Sequence, residues 1–177
     1  MKLNEIGKIS IIGPESTGKT TLSQQLAQHF QTIWLPEYAR TYVENLDREY
    51  NYDDVIFIAK KQIQLEKEYT INANKFLFLD TDLIITKIWL QVVYKNYPTW
   101  LDSEILKNAN KLYLLCFYDL PWIKDNVREN GGEKRKSLFE MYQTELVNYN
   151  FNYEIIIGKD SQRFELAVKK INNFFSA

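Results

Sequence analysis

The sequence has little of the chemistry that supports metal clusters, disulfides or histidine-based catalysis. Its 177 residues include one histidine and one cysteine. His29 falls near the end of a predicted helix, where we expect it to be exposed, so it supports neither a metal cluster nor a Ser-His-Asp or Cys-His catalytic group. Cys116 lies inside the apolar run at residues 112–117, which predicts a buried strand residue in a reducing compartment.

An excess of charge of one sign and a long hydrophobic run are also missing. The 22 Lys and Arg residues against 23 Asp and Glu residues give a net charge of −1, and the local lysine clusters are typical of solvated helix surfaces. The N-terminus has no signal-peptide hydrophobic region, and no apolar stretch approaches the length of a membrane span. We therefore expect a cytoplasmic protein with no nucleic-acid or membrane partner, and homo-oligomer formation is left open.

Repeats, Pro/Ser-rich linkers and low-complexity blocks are absent from the chain, which predicts one domain over residues 1–177. Short apolar runs alternate with helical patterns. Predicted strands span residues 8–12, 32–35, 76–79, 111–117 and 153–157, and predicted helices span residues 21–30, 38–45, 53–72, 83–95, 103–108, 133–149 and 161–175. This alternation predicts an α/β fold with a parallel sheet covered by helices on both faces, whose ligands collect beyond the carboxyl ends of the strands.

A complete phosphate-binding motif is present. Residues 13–20, GPESTGKT, match the pattern G-x-x-x-x-G-K-T between a predicted strand and a predicted helix, which is the context that this motif requires. The backbone N–H groups of such a loop converge on a phosphate, and the helix N-terminus adds partial positive charge. The alternative is a glycine-rich turn that caps an ordinary helix. The predicted nucleotide-binding residues are Gly13, Glu15, Ser16, Thr17, Gly18, Lys19, Thr20 and Thr21.

Acidic residues follow the third predicted strand. Asp80 ends an apolar run in the Walker B manner, so we expect Thr20 and Asp80 to hold Mg²⁺, with Asp80 acting through water. Asp82 comes two residues later. It would face the cleft or cap the following helix, and capping is compatible with binding a substrate hydroxyl, so the sequence leaves both roles open.

Glu37 and Arg40 follow the second predicted strand. At the carboxyl end of the strand, Glu37 would accept a proton from a substrate hydroxyl or orient that hydroxyl. The alternative is an acidic residue at the N-terminus of the next helix. Arg40 would bridge phosphates, pair with Glu37 or lie on the surface as an ordinary arginine.

The polar segment at residues 119–135 is broken by Pro121 and by the glycine pair at 131–132, and it carries Arg128 and Arg135. This composition predicts a mobile lid whose arginines neutralise charge on a transferring phosphoryl group. The alternative is a solvent-exposed connection. Trp122, within the segment, is the tryptophan that we most expect to stack on a ligand.

These motifs together resemble the ribosylnicotinamide kinase domain of NadR-type proteins, a P-loop kinase-like AAA family. The matching segments are the phosphate loop at residues 13–20, EYAR at 37–40, DTD at 80–82, and Pro121-Trp122 followed by Asp125 and Arg128. Order and spacing match over nearly the whole chain. The resemblance implies a three-layer P-loop NTPase fold with strand order 2-3-1-4-5. It also implies phosphorylation of the 5′-hydroxyl of nicotinamide riboside with ATP and Mg²⁺, giving nicotinamide mononucleotide.

With the resemblance added, each predicted site residue takes a role. The expected catalytic residues are Lys19, Glu37, Asp82, Arg128 and Arg135. The expected acceptor-binding residues are Glu37, Tyr38, Arg40, Asp82, Trp122 and Asp125, with a flat ring stacked on Tyr38 or Trp122.

The sequence departs from the NadR pattern in two ways. The lid has Asp125-Asn126-Val127-Arg128, where the family often has D-G-x-R, and Asn also tolerates the left-handed backbone. One histidine is too few for the adenylyltransferase H-x-G-H signature, and the sequence before the first strand is too short for that domain, so we expect no NAD synthesis. The alternatives are a kinase for another nucleoside and a nucleotide-dependent regulatory ATPase or switch. The lack of D-x-x-G and N-K-x-D segments weighs against the switch.

Overall fold

The computed structural model describes residues 6–107, 111–124 and 130–176. Within these ranges, strands and helices alternate as the sequence predicts. The strands are β1 (Gly7–Ile12), β2 (Ile33–Leu35), β3 (Phe76–Asp80), β4 (Leu112–Cys116) and β5 (Asn152–Ile156). The helices are α1 (Lys19–His29), α2 (Tyr38–Glu44), α3 (Tyr52–Asn72), α4 (Leu83–Tyr94), α5 (Trp100–Leu106), α6 (Glu133–Asn148) and α7 (Asp160–Ser176).

The five strands form one parallel sheet in the order β2-β3-β1-β4-β5, as predicted. Strands β3 and β4 are buried at every position. Their nearly continuous apolar sequences are typical of parallel strands with helices on both faces. The order matters for function because it sets β1 beside β3, so that the phosphate loop after β1 meets the acidic residues after β3.

Side chains alternate between two cores along each strand. Ile9 and Ile11 of β1 pack with residues of α1 and α7 on one face of the sheet. On the other face, Tyr113 and Leu115 of β4 pack with residues of α3, α4, α5 and α6. The predicted burial of Cys116 is confirmed, and burial raises the pKa of its thiol to about 11. The helices thus form the outer layers of a three-layer fold.

Helix α3 begins with a capping box, in which the Asn51 side chain accepts from the Asp54 N–H and the Asp54 carboxylate accepts from the Asn51 N–H. In the described ranges, none of the helices has both the length and the apolar character that a membrane span requires. The cytoplasmic location stays a prediction.

Candidate nucleotide and acceptor site

A cavity of about 290 Å³ opens beyond the carboxyl ends of β1, β2 and β3. One half is the phosphate loop, and the other half is an aromatic and aliphatic chamber. Every residue that the sequence predicts to bind nucleotide lines this cavity. The cavity therefore lies where an open parallel sheet is expected to bind its ligands.

Glycine is required at two positions of the phosphate loop. Gly13 has φ 146°, and a Cβ atom there would lie 2.7 Å from the Cys116 carbonyl oxygen. Gly18 has φ 75° and forms the left-handed N-cap of α1. Lys19 Nζ donates to the Pro14 carbonyl oxygen at 2.9 Å, so the ammonium group is held across the loop.

Thr20 and Asp80 meet at the junction of the loop with β3. Thr20 Oγ1 donates to Asp80 Oδ2 at 2.6 Å, whereas the buried Asp80 Oδ1 has no hydrogen-bond partner among the described residues. Burial raises the pKa of Asp80, and the nearby Lys19 ammonium and the Thr20 hydroxyl oppose that rise. An orphaned carboxylate oxygen beside a hydroxyl suits Mg²⁺, which takes few protein ligands and completes its shell with water and phosphate. The described residues contain no cluster of three or more His, Cys, Asp or Glu side chains that could hold a metal ion.

Glu37 reaches the cavity from the end of β2. It occupies the N-cap position of α2, the place that the alternative interpretation gives it, but its side chain makes no capping hydrogen bond there. Burial raises the pKa of Glu37, Lys19 lowers it, and the neighbouring Asp80 carboxylate raises it further. A carboxylate with a raised pKa beside the phosphate loop is a suitable proton acceptor for a hydroxyl.

Arg40 of α2 also lines the cavity, and its Nε lies 3.0 Å from Glu44 Oε1 one helical turn away. Tyr38 does not line the cavity. Its ring lies 5.9 Å from the Tyr42 ring and 6.5 Å from the Phe57 ring, centroid to centroid. The structure therefore brings Arg40 to the site but not Tyr38, because the helix directs the two side chains differently.

The aromatic and aliphatic chamber of the cavity is formed by residues that the sequence did not single out. Tyr50 and Trp89 meet edge to face with ring centroids 4.9 Å apart. The wall around them consists of Val43, Ile85, Val92, Val93, Leu138 and Tyr142. The residues from α4 follow helical spacing, which is a signal, but the same spacing is expected of a helix that faces an ordinary core.

Asp82 is turned away from the cavity, and this corrects its predicted contact with the acceptor. It is 4% exposed. Its Oδ1 caps α4 by accepting from the Ile84 N–H at 3.2 Å, and its Oδ2 accepts from Ser10 Oγ at 3.0 Å and Lys111 Nζ at 2.9 Å. The capping role is the one that the structure shows, since the carboxylate is fully engaged in the core.

Two predicted lid residues also lie elsewhere than expected. Arg135 is 6% exposed, and its Nη1 donates to the Leu120 carbonyl at 2.8 Å, so it does not face the cavity. Trp122 Nε1 donates to Glu15 Oε2 at 3.3 Å, and the Trp122 ring packs against Gly131 rather than in the cavity. The remaining predicted lid residues, Asp125 and Arg128, lie outside the described residues.

Both described ends of the segment 119–135 are attached to the phosphate loop. Glu15 accepts from Trp122 on one side and from the Asn130 N–H at 3.0 Å and Nδ2 at 2.9 Å on the other. The Ile123 N–H donates to Ser16 Oγ at 3.1 Å. Asn130 also lines the cavity. The described ends of the segment therefore lie next to the phosphate loop, whereas the mobility of the segment stays a prediction.

A family model described as an AAA domain matches residues 8–163. The chain belongs to this AAA domain family. The trifunctional NAD biosynthesis/regulator protein NadR of Salmonella typhimurium (strain LT2) is 28% identical over 160 residues, which cover 86% of this chain and 38% of that protein. The resemblance to the NadR-type kinase domain is thereby confirmed, and the chain spans well under half the length of this relative.

Solved structures confirm the P-loop kinase fold. A NadR protein in complex with NR superposes with a TM-score of 0.78 at 23% identity, covering 98% of this chain and 52% of that chain. A deoxyadenosine kinase from M. mycoides with bound dATP superposes with a TM-score of 0.66 at 18% identity, covering 94% of this chain and 99% of that chain.

Proposed function

We propose that the protein is an ATP- and Mg²⁺-dependent kinase of a small nucleoside, most specifically nicotinamide riboside, which it converts to nicotinamide mononucleotide. One observation carries the proposal: a single cavity joins the phosphate loop to an aromatic chamber, with Glu37 at the junction. The identity to NadR supports the choice of acceptor.

The phosphate half would bind the ATP triphosphate. The loop N–H groups and Lys19 hold the phosphates, and the N-terminus of α1 adds its partial positive charge. Thr20 and Asp80 would hold Mg²⁺, Asp80 through water, and that ion supplies charge neutralisation when it is bound. Phosphoryl transfer depends mainly on such positioning and electrostatics, which a rigid loop between strand and helix provides.

Glu37 would act on the acceptor hydroxyl. It lines the cavity beside Lys19, and burial raises its pKa. A raised pKa makes the carboxylate a stronger base at the moment when the hydroxyl loses its proton. Arg40, held on the same helix, would orient the acceptor or the transferring phosphoryl group.

The aromatic chamber would take the ring of the acceptor. Tyr50 and Trp89 supply faces and edges for a flat ring, and aromatic faces attract a cationic ring such as the pyridinium of nicotinamide riboside. The whole cavity, phosphate half included, is about 290 Å³, just below the usual ligand-pocket volumes of about 300–1,000 Å³, which favours a small acceptor. Arg40 is the one Lys or Arg among the described lining residues of this half. A single cation there favours an unphosphorylated acceptor over a nucleotide.

A regulatory ATPase or partner-binding switch would not need this chamber. Such a role would be favoured if Glu37 faced open solvent and no pocket lay beside the phosphate loop. Instead Glu37 is half-buried and lines the cavity, an arrangement that supports transfer to a bound acceptor.

The test is a coupled ADP-release assay across a panel of nucleosides that includes nicotinamide riboside and deoxyadenosine, with mass spectrometry of the products. We expect ADP release to depend on the nucleoside and nicotinamide riboside to have the highest kcat/KM. Higher kcat/KM for another nucleoside would keep the kinase and change its acceptor. ADP release that no nucleoside stimulates would overturn the kinase in favour of an ATPase.

A further inference from the structure

Two buried arginines from two different helices reach consecutive carbonyl groups of the phosphate loop. Arg135, in the first turn of α6, donates through Nη2 to the Ser16 carbonyl oxygen at 3.3 Å. Arg163, in the first turn of α7, donates through Nη1 to the Thr17 carbonyl oxygen at 3.0 Å. The arginines are 6% and 4% exposed, respectively.

Each arginine is itself fixed by a second element. Arg135 Nη1 donates to the Leu120 carbonyl oxygen at 2.8 Å, which ties it to the segment after β4. Arg163 Nε donates to the Gly158 carbonyl oxygen at 2.8 Å, and its Nη2 is ion-paired with Asp119. The loop is therefore braced against the parts of the chain that follow β4 and β5.

The direction of these contacts is what gives them a functional meaning. In a trans peptide the C=O and N–H bonds point in opposite directions. The carbonyls of Ser16 and Thr17 belong to the same peptide planes as the N–H groups of Thr17 and Gly18, and these two residues line the cavity whereas the arginines do not. The guanidinium groups thus lie behind the peptides whose N–H groups would face a phosphate.

We propose that Arg135 and Arg163 are positioning residues for the triphosphate, acting through the Ser16 and Thr17 carbonyls rather than by touching the nucleotide. A cation bound to a carbonyl polarises the peptide and strengthens its N–H as a donor. The same bonds hold the loop in shape, since Ser16 has φ 56°, a left-handed conformation that a serine adopts only when its surroundings impose it.

The Nε of Arg135 supports the same positioning role. It is buried and has no hydrogen-bond partner within the described ranges. An incompletely paired guanidinium beside the loop also leaves positive potential for a bound polyanion, because charges act over longer distances in a poorly solvated site. The role differs from that of a lid arginine that closes over the transferring group.

The inference rests on the proposed use of ATP, and the test separates the two. Isothermal calorimetry would measure binding of ATP and of inorganic tripolyphosphate to the parent protein, Arg135→Met, Arg135→Lys and Arg163→Met. Tripolyphosphate has no base, so its binding reports on the phosphate loop alone. This separation is needed because Arg163 also donates to the Gly158 carbonyl in the turn after β5, so that its replacement changes more than the loop. The controls are Lys136→Met, which removes an exposed cation next to Arg135, and Lys87→Met, which removes a buried cation of α4.

We expect Arg135→Met and Arg163→Met each to weaken the affinity for both ligands by about tenfold or more, the order of a charge-assisted hydrogen bond. Arg135→Lys should restore part of that affinity, and the two lysine controls should bind as the parent protein does. The KM for the acceptor should change far less than the KM for ATP. If folded Arg135→Met and Arg163→Met bound both ligands as the parent protein does, the positioning role would be wrong. It would also be wrong if their losses of affinity were no larger than that of Lys87→Met. Failure of the parent protein to bind either ligand would instead contradict the proposed function.

Discussion

Lys111 Nζ lies 2.9 Å from Asp82 Oδ2 and 2.8 Å from Glu66 Oε2, with all three side chains buried. Glu66 is in turn 2.9 Å from Lys8 Nζ, so a chain of alternating charges crosses this face of the sheet. Burial alone would lower the pKa of Lys111, but the two carboxylates outweigh it and raise the pKa. The ion pair with Lys111 holds the Asp82 side chain in place. Asp82 in turn fixes the turn between the predicted metal-binding Asp80 and helix α4.

We expect Lys111→Met to destabilise the fold strongly, because it leaves two carboxylates in the core without their shared cation. Breaking a buried ion pair costs about 3–5 kcal/mol in unfolding free energy, whereas an exposed pair contributes about 1 kcal/mol or less. Denaturant unfolding would measure both, with Lys170→Met as the control, since Lys170 pairs with Glu154 at the surface. Similar losses of unfolding free energy in the two variants would show that the buried ion pairs of Lys111 stabilise the fold no more than a surface pair does.

We expect Lys19→Ala to lower phosphoryl transfer by about 100-fold or more, the scale for losing an electrostatic contact made in the transition state. Lys19 lines the cavity and is not part of the core, so the melting temperature should change little. Thr20→Ala should mainly raise the Mg²⁺ concentration needed for activity. ADP release at varied Mg²⁺, together with thermal melts, would check both variants against Lys60→Ala on the exposed face of α3. Near-normal turnover in Lys19→Ala would remove the basis of the phosphate-loop assignment.

We expect Glu37→Gln to lower kcat by about 10²–10⁴-fold, the usual contribution of a positioned general base, with little change in ATP affinity. In the parent protein the rate should rise with pH as Glu37 loses its proton. Because burial raises the pKa of Glu37 above the ordinary value of 4.5, that rise should occur at a higher pH than for a free carboxyl.

The control for Glu37 is Glu44→Gln, which changes a more exposed carboxylate of the same helix that pairs with Arg40. Steady-state rates from acidic to neutral pH would compare the two variants. If Glu37→Gln matched the parent protein at every pH, positioning and charge neutralisation alone would account for the transfer.

We expect Trp89→Ala to raise the KM for the acceptor by about tenfold or more, since an aromatic contact combines buried area with ring geometry, and to leave the KM for ATP nearly unchanged. Tyr38→Ala is the informative comparison, because Tyr38 packs with Tyr42 and Phe57 outside the cavity. Initial-rate measurements with each substrate varied would separate the effects. A larger acceptor effect for Tyr38 than for Trp89 would favour the assignment made from the sequence.

The sequence determined the features that depend on neighbouring residues. The glycines, Lys19 and Thr20 of the phosphate motif act within a short stretch of chain, so their spacing alone places the glycines in the loop after β1 and Lys19 and Thr20 at the start of α1. The spacing of apolar residues likewise locates the strands and helices, because it shows which faces of each segment are buried. The strand order came from the resemblance to NadR-type domains, and the sheet has that order.

Only the tertiary structure decided where several side chains with open roles point. The sequence left open both a cleft role and a capping role for Asp82, whereas in the structure Lys111, distant in sequence, holds its carboxylate in the core. Arg135 looked like a lid arginine, but it reaches the Ser16 carbonyl across 119 residues of chain. Tyr50 and Trp89 form a wall of the aromatic chamber because the loop before α3 and helix α4 meet there. Such contacts join residues far apart along the chain, so local spacing carries no information about them. They follow from the sheet, which brings the carboxyl ends of its strands together.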